Sequence, residues 1–425
     1  MRIVAQIGLM IGLITSTAFS QQPSSKRIDP QESQESINRR LEVEAEKIDK
    51  IEVSPLFTAI TGPAVDPALR LHSDQINLVR KLESLSREIV RVWLLRDLDS
   101  NPLPTVGHLE LRLTDEGVKL RESVFSHAET IVLECILDPE QSRGWVKASG
   151  TKTRLRLPKQ HETELPAAPD DSSSVAVRMI NDMKFQAANL DRVGRVFQFI
   201  LGTNEVDQIY PNGLERLNPA ETQLAMSHMP RIALSTAQKA LAERLDELAR
   251  AILGDWLVRG LHEKPIPSQA TLVQHGKVCD QIAAILRVHA ETIALEAIIT
   301  PEQSERCLAI AWKELGPEAL LDPSLASRLK LTRAQRERIK SRIANKEALV
   351  ADMQEITHPY INVLSSNPGL AAKLSQVAQK QMEAADLAIL GILTPAQSRL
   401  LKQILSSGTE TTDRIPARDI KKNDQ

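Results

Sequence analysis

His127 and Glu134 lie seven residues apart, and so do His289 and Glu296. Seven residues is close to two helical turns, so each pair shares one helix face. Imidazole and carboxylate on one face are donors that Zn²⁺ or Cu²⁺ accepts. Two such pairs would meet if the segments that carry them pack symmetrically. The alternative is a solvated His and Glu face, or a histidine bonded to a neighbouring helix. A related segment near the C-terminus carries Glu383 and Leu390 at these positions, a loss that a structural metal would not tolerate. No metal and no cofactor are therefore expected, and these four residues remain the candidate ligands. Glu129 and Glu291 have the carboxylates for acid and base work, but nothing near them in the chain forms a nucleophile or an oxyanion site. The chain has no Gly-x-Ser-x-Gly, His-Glu-x-x-His, phosphate-binding loop or Cys-x-x-Cys. No enzyme is expected.

These residues sit inside a repeat. SHAETIVLECILDPEQS (126–142) matches VHAETIALEAIITPEQS (288–304) at most positions, and MEAADLAILGILTPAQS (382–398) keeps the end. A second element precedes each: LHSDQ (71–75), LSTAQ (234–238) and LTRAQ (331–335). The two glutamines of a copy are 66, 65 and 62 residues apart. Between them, Leu78, Leu82, Leu85, Ile89 and Trp93 in copy one correspond to Leu241, Leu245, Leu248, Ile252 and Trp256 in copy two. Spacings of three and four place these residues on one helix face. Trp93 and Trp256 are candidate aromatics of a binding groove; the alternative is that they are core.

Each element reads as a helix start. Thr300 is the expected N-cap, Pro301 falls at N1, and Gln303 at N3 completes a capping box. Asp138 with Gln141 and Thr394 with Gln397 repeat this grammar, and Ser235 with Gln238 and Thr332 with Gln335 do so without the proline. Before Gln75 the cap slot holds His72, which leaves Ser73 as the alternative cap. Each copy should then be a long helix, a turn around Pro102–Pro104 or Pro265–Pro267, a second long helix (112–137 or 268–299) and a short third. The fold expected is all-α: tandem long helical hairpins with short capping helices, in three related units.

The residues suggest these boundaries: a signal peptide at 1–20, a polar segment at 21–59, unit one at 60–150 and a linker at 151–175. Unit two, with a preceding helix over 176–201, spans 176–316, unit three spans 317–406, and a disordered tail covers 407–425. A charged helix is expected over 35–51. Arg2, the apolar stretch from Ile3 to about Ile14 and the small-x-small Ala18-Phe19-Ser20 are a secretory signal, with cleavage before Gln21. The stretch is short for a membrane anchor. The chain is expected to be exported, to the periplasm or beyond the cell, with no stable membrane span after cleavage.

Composition bounds the partners. There are 53 basic and 55 acidic side chains, a net charge of −2, which argues against nucleic acid as a partner. Aromatics are 3%, too few for a surface that stacks on sugars or bases. Cys135, Cys279 and Cys307 are odd in number, so no complete disulfide framework follows, and a single bridge stays open.

The paired elements resemble the LTxxQ-motif periplasmic family, which includes the Spy-type chaperone and the CpxP-type envelope-stress regulator. The matching residues are Leu331-Thr332-Arg333-Ala334-Gln335 with Leu393-Thr394-Pro395-Ala396-Gln397. In copy two they are Leu234-Ser235-Thr236-Ala237-Gln238 with His289-Ala290-Glu291-Thr292 and Ile299-Thr300-Pro301-Glu302-Gln303. The resemblance covers roughly 60–148, 225–315 and 325–405. It implies helical hairpins and nucleotide-independent binding of unfolded or stressed envelope proteins. This chain departs from the family in carrying three units and in being nearly neutral. A scaffold of the cell envelope with no client, and a metal-responsive sensor, are the other readings.

Overall fold

The computed structural model describes residues 34–61 (except 52 and 54), 71–98, 104–149, 173–202, 232–261, 266–357 and 367–409. The expected signal peptide, most of the 151–175 linker and the end of the tail lie outside these residues. All regular structure among the described residues is helical. No described helix is long and apolar enough to cross a membrane.

The chain forms two compact units, one up to Ile299 and the other from Thr300 onward, so the division falls within the second copy of the repeat. In the first unit, α1 (Gln34–Ile48), α2 (Pro55–Thr61), α3 (Ser73–Leu95), α4 (Val106–Leu113), α5 (Asp115–Ile131) and α6 (Pro139–Ser149) cover the N-terminal part. They are followed by α7 (Ser173–Ala188), α8 (Arg195–Leu201), α9 (Thr236–Val258) and α10 (Gln269–Ile293). Both α5 and α10 run into a π-helical turn, at Val132–Ile136 and Ala294–Ile298. In the α3 and α9 stripes, Leu82 and Ile89, and Leu241, Leu245 and Ile252, are buried. Burial of such a stripe, more than intrinsic propensity, stabilises these helices.

Contacts join the two copies as closely as they join the helices within one. Helix α3 packs on α5, and α9 on α10, while α3 also packs on α9 and α5 on α10. The π-turn after α5 lies against α9 and α10, and the turn after α10 lies against α3 and α5.

Two expected helices are broken. The helix expected over 112–137 is interrupted at Thr114, whose ψ of −114° is not helical. Gly117 follows, and a Cβ there would lie 2.0 Å from the Arg112 carbonyl oxygen, so this close approach requires glycine. Copy two has no such break, and α10 runs unbroken. The single helix expected over 176–201 is two helices, α7 and α8. Between them the Val193 N–H donates to Asp246 Oδ1 at 2.9 Å, and Arg192 binds the same carboxylate at 3.0 Å. A Cβ at Gly194 would strike the Glu291 carboxylate at 2.1 Å. Tertiary anchoring at Asp246 and Glu291 thus overrides the local helical pattern.

The second unit holds α11 (Pro301–Leu315), a 3₁₀ segment (Gly316–Leu321), α12 (Pro323–Arg328), α13 (Arg333–Thr357), α14 (Pro368–Leu390) and α15 (Pro395–Thr409). Helix α11 packs on α15, and α13 on α14. Lys346 of α13 ties this unit together, with Asp386 of α14 at 2.9 Å and Glu318 of the 3₁₀ segment at 3.4 Å. Burial works against its charge, but Asp386 and Glu318 outweigh that, and the ammonium titrates above the ordinary lysine value.

Candidate functional site

The motif glutamines cap their helices as expected. The Gln238 side chain accepts from Ser235 N–H at 2.9 Å, and Ser235 Oγ accepts from Gln238 N–H at 3.3 Å. Thr300 with Gln303, Thr332 with Gln335 and Thr394 with Gln397 make the same reciprocal bonds. Asp138 N–H donates to Gln141 Oε1 at 2.9 Å. At the first element the N-cap is His72, whose N–H donates to Gln75 Oε1 at 2.9 Å; Ser73 is the first residue of the helix itself. Cap position follows backbone geometry, and His72 holds the extended conformation that a cap requires.

The same glutamines have a second task. Gln75 Nε2 donates to Gln141 Oε1 at 3.0 Å and to the Ile136 carbonyl at 3.0 Å. Gln335 Nε2 donates to Gln397 Oε1 at 2.8 Å and to the Ile392 carbonyl at 3.2 Å. Gln238 Nε2 donates to the Ile298 carbonyl at 3.1 Å. Each first glutamine therefore latches the start of its helix to the backbone just before the second element. This contact accounts for the similar spacing of the two elements. A capping box alone sets a spacing of three residues and none of sixty.

A clasp joins copies one and two. Arg96, just past α3, donates to the carbonyls of Ala297 (2.8 Å), Ile298 (2.6 Å) and Ile299 (3.0 Å). Arg259, its counterpart just past α9, donates to the Asp138 carboxylate at 2.6 Å and to the Ile136 carbonyl at 3.2 Å. A π-turn and the break after it leave carbonyls without helical partners, and a guanidinium supplies several donors in a planar fork. The Trp256 indole N–H donates to the Cys135 carbonyl, and Arg259 stacks on that indole ring at 4.1 Å. Trp256 is 4% exposed. Trp93 is half-buried, with Arg112 above its ring at 5.8 Å.

His127 and His289 come together. Their Nδ1 atoms are 2.6 Å apart and their rings are tilted by 54°. At this distance one nitrogen holds the proton and the other accepts it. Burial holds the His127 imidazole below its ordinary pKa, and the nearby Glu296 carboxylate offsets only part of that effect. Glu296 is exposed and accepts from Ser123 Oγ at 2.7 Å, whereas Glu134 is buried. Among the described residues, no group of three or more His, Cys, Asp and Glu side chains is arranged to hold a metal. Glu291 is buried and accepts from the Val196 N–H at 3.2 Å, at the start of α8. Its role there is structural. The three cysteines are free and buried, so the single bridge left open above does not form. Burial pushes the Cys135 thiol up, and that of Cys279 to about 11, so both stay protonated and unreactive at neutral pH.

Between α3 and α9 lies a groove of about 460 Å³. Leu85, Leu248 and Ala251 line its apolar part, and Arg80, Lys81 and Arg244 stand on its rim with Glu247. Arg244 bridges the two helices by an ion pair to Glu88 at 2.6 Å. Sequence reasoning placed Leu85 and Leu248 on the correct stripes. It did not find the rim, because Arg80, Lys81 and Arg244 are ordinary exposed positions until α3 and α9 lie side by side. Arg96 and Arg259 stand at matching places, in Arg96-Asp97-Leu98 and Arg259-Gly260-Leu261, but the sequence gives no sign of the carbonyls they reach. Comparison with known families, with characterised proteins and with solved structures gives no match.

Proposed function

We propose that this chain is an exported helical protein that binds extended segments of other proteins without nucleotide, as a chaperone-like or envelope-stress factor. The observation that carries this reading is the groove between α3 and α9. Its apolar floor at Leu85, Leu248 and Ala251 suits aliphatic side chains, and its rim at Arg80, Lys81 and Arg244 suits acidic ones. The resemblance of the paired elements to the LTxxQ family supports the same reading, and the apolar N-terminus supports export. Unfolded envelope proteins are the partners that this chemistry recognises.

The test is light scattering of a chemically denatured client diluted into buffer with the protein and no ATP. Suppression at near-stoichiometric ratios is the expected result. No suppression by a folded, helical sample would overturn client binding. The second reading, an envelope scaffold, would then stand on the clasp of Arg96 and Arg259, which ties α3 to the turn after α10 and α9 to the turn after α5.

A further inference from the structure

Helices α7 and α10 pack on each other and bring soft ligating side chains together. Helix α7 lies outside the repeat, and this region is separate from the contact of His127 with His289. His275, Gly276 and Cys279 share one face of α10, and Met179 and Met183, four residues apart, share one face of α7. These two faces meet. Met183 is buried in an apolar cluster with Leu272, which stands three residues before His275, and Met179 packs against the same cluster. Cys279 Sγ lies 3.7 Å from His275 Nε2. A Cβ on Gly276 would touch the terminal methyl of Met183 at 3.8 Å. The methionine end therefore lies over the part of α10 that carries His275 and Cys279. Glycine weakens a helix interior, and here it leaves room for that thioether.

The thiol and the imidazole already stand at the separation of two ligands on one ion. With metal bonds of about 2.3 Å to sulfur and about 2.05 Å to nitrogen, as for the d¹⁰ ion Zn²⁺, 3.7 Å corresponds to an angle of roughly 115° at the metal. That angle lies between the tetrahedral and the trigonal values. The His275 ring also hydrogen-bonds to the backbone of Trp256 and Leu257, near the end of α9. A bond of this kind fixes the orientation of a ligating imidazole.

We propose that Cys279 Sγ, His275 Nε2 and a thioether of α7, Met183 foremost, bind one Cu⁺ ion. Thiolate and thioether sulfur are soft donors, which select Cu⁺ over harder divalent cations. Charge selects the same way. Binding breaks the Cys279 S–H bond, forms an S–Cu bond and releases the proton to solvent, with no electron transferred. Thiolate and Cu⁺ together are neutral, which suits an apolar cluster. A divalent ion would leave a positive charge there, and the Arg259 guanidinium already acts on both His275 and Cys279.

Anaerobic titration of the full chain with Cu⁺, in competition with the chromophoric chelator bicinchoninate, tests this. One Cu⁺ per chain is the expected stoichiometry. Cys279→Ala should weaken binding at least about a hundred-fold. Met179→Leu with Met183→Leu keeps the apolar volume and the helical circular dichroism, and should weaken binding about ten-fold. Cys307→Ala, at a buried thiol elsewhere, should leave binding unchanged. Zn²⁺ in about ten-fold excess should not displace the ion. No transfer of Cu⁺ from the chelator would overturn the proposal. So would binding that the double leucine variant retains in full, or displacement of the ion by Zn²⁺.

Discussion

Ile131 and Leu387 occupy corresponding places in the repeat, yet Ile131 is 1% exposed and Leu387 is 68% exposed. Around Ile131, copies one and two share a clasp, a histidine contact and two π-turns. Around Leu387 there is an ordinary helix that ends at Gly391 without a π-turn. The glutamine latch is common to both regions, at Gln75 with Gln141 and at Gln335 with Gln397. In both regions the motif glutamines join two helix starts more than sixty residues apart. The contacts of Arg96, Arg259, His127 and His289 occur around Ile131, and at the matching places of the C-terminal segment stand Ile356 and Glu383. The latch holds a copy together, and the arginine and histidine side chains hold copies to each other.

Substitutions at the corresponding positions sharpen this contrast most. Ile131→Ala should destabilise the first unit by about 3 kcal/mol, because it leaves a cavity in a sealed interface. Leu387→Ala should change the stability of the second unit by less than about 0.5 kcal/mol. Denaturant unfolding of each variant checks both, and equal effects would erase the distinction.

The clasp comes next. Arg96→Ala removes a charged donor from three carbonyls and should cost about 2 kcal/mol. Hydrogen exchange should then rise first at the π-turn Ala294–Ile298. The latch is smaller and graded by burial. Gln75→Ala, at a residue 2% exposed, should cost about 1.5 kcal/mol, and Gln335→Ala, in a more open setting, roughly half that. Thermal melts of the two variants give the ranking.

The smallest effect is that of pH. Burial lowers the His127 pKa, so the unfolded chain takes up a proton more readily than the folded one. The contribution of His127 is then fully present above the ordinary histidine value of about 6.5 and is lost as pH falls below it. The first unit should lose stability between about pH 6.5 and pH 5, and His127→Gln should flatten that slope. An unchanged slope would remove the histidine contact from the account.

The helix starts and the apolar stripes were legible in the sequence, because capping boxes and three–four spacing are local signals. The sequence offered the meeting of His127 with His289 only on the condition that their segments pack symmetrically, and as part of a metal site. The breaks at Thr114 and before Gly194 were not legible. Each depends on a partner distant in sequence or on a close backbone approach, as with Asp246 receiving Val193 and Arg192. The latch was hidden for a similar reason. A glutamine that caps its own helix gives no sign that its amide nitrogen reaches another helix 66 residues away. The groove rim appears only once α3 and α9 are adjacent.

The claim that this groove receives protein segments is the one on which the function rests. Its most direct test is the affinity of the full chain for a fluorescently labelled, permanently unfolded client carrying acidic and aliphatic residues. The same titration is run on the Arg80→Glu, Lys81→Glu variant, whose substitutions are both exposed and leave the core intact. Binding by the wild type, weakened at least about ten-fold by reversing the rim charge and by added salt, is the predicted result. Equal binding by both proteins, or none by either, would contradict it.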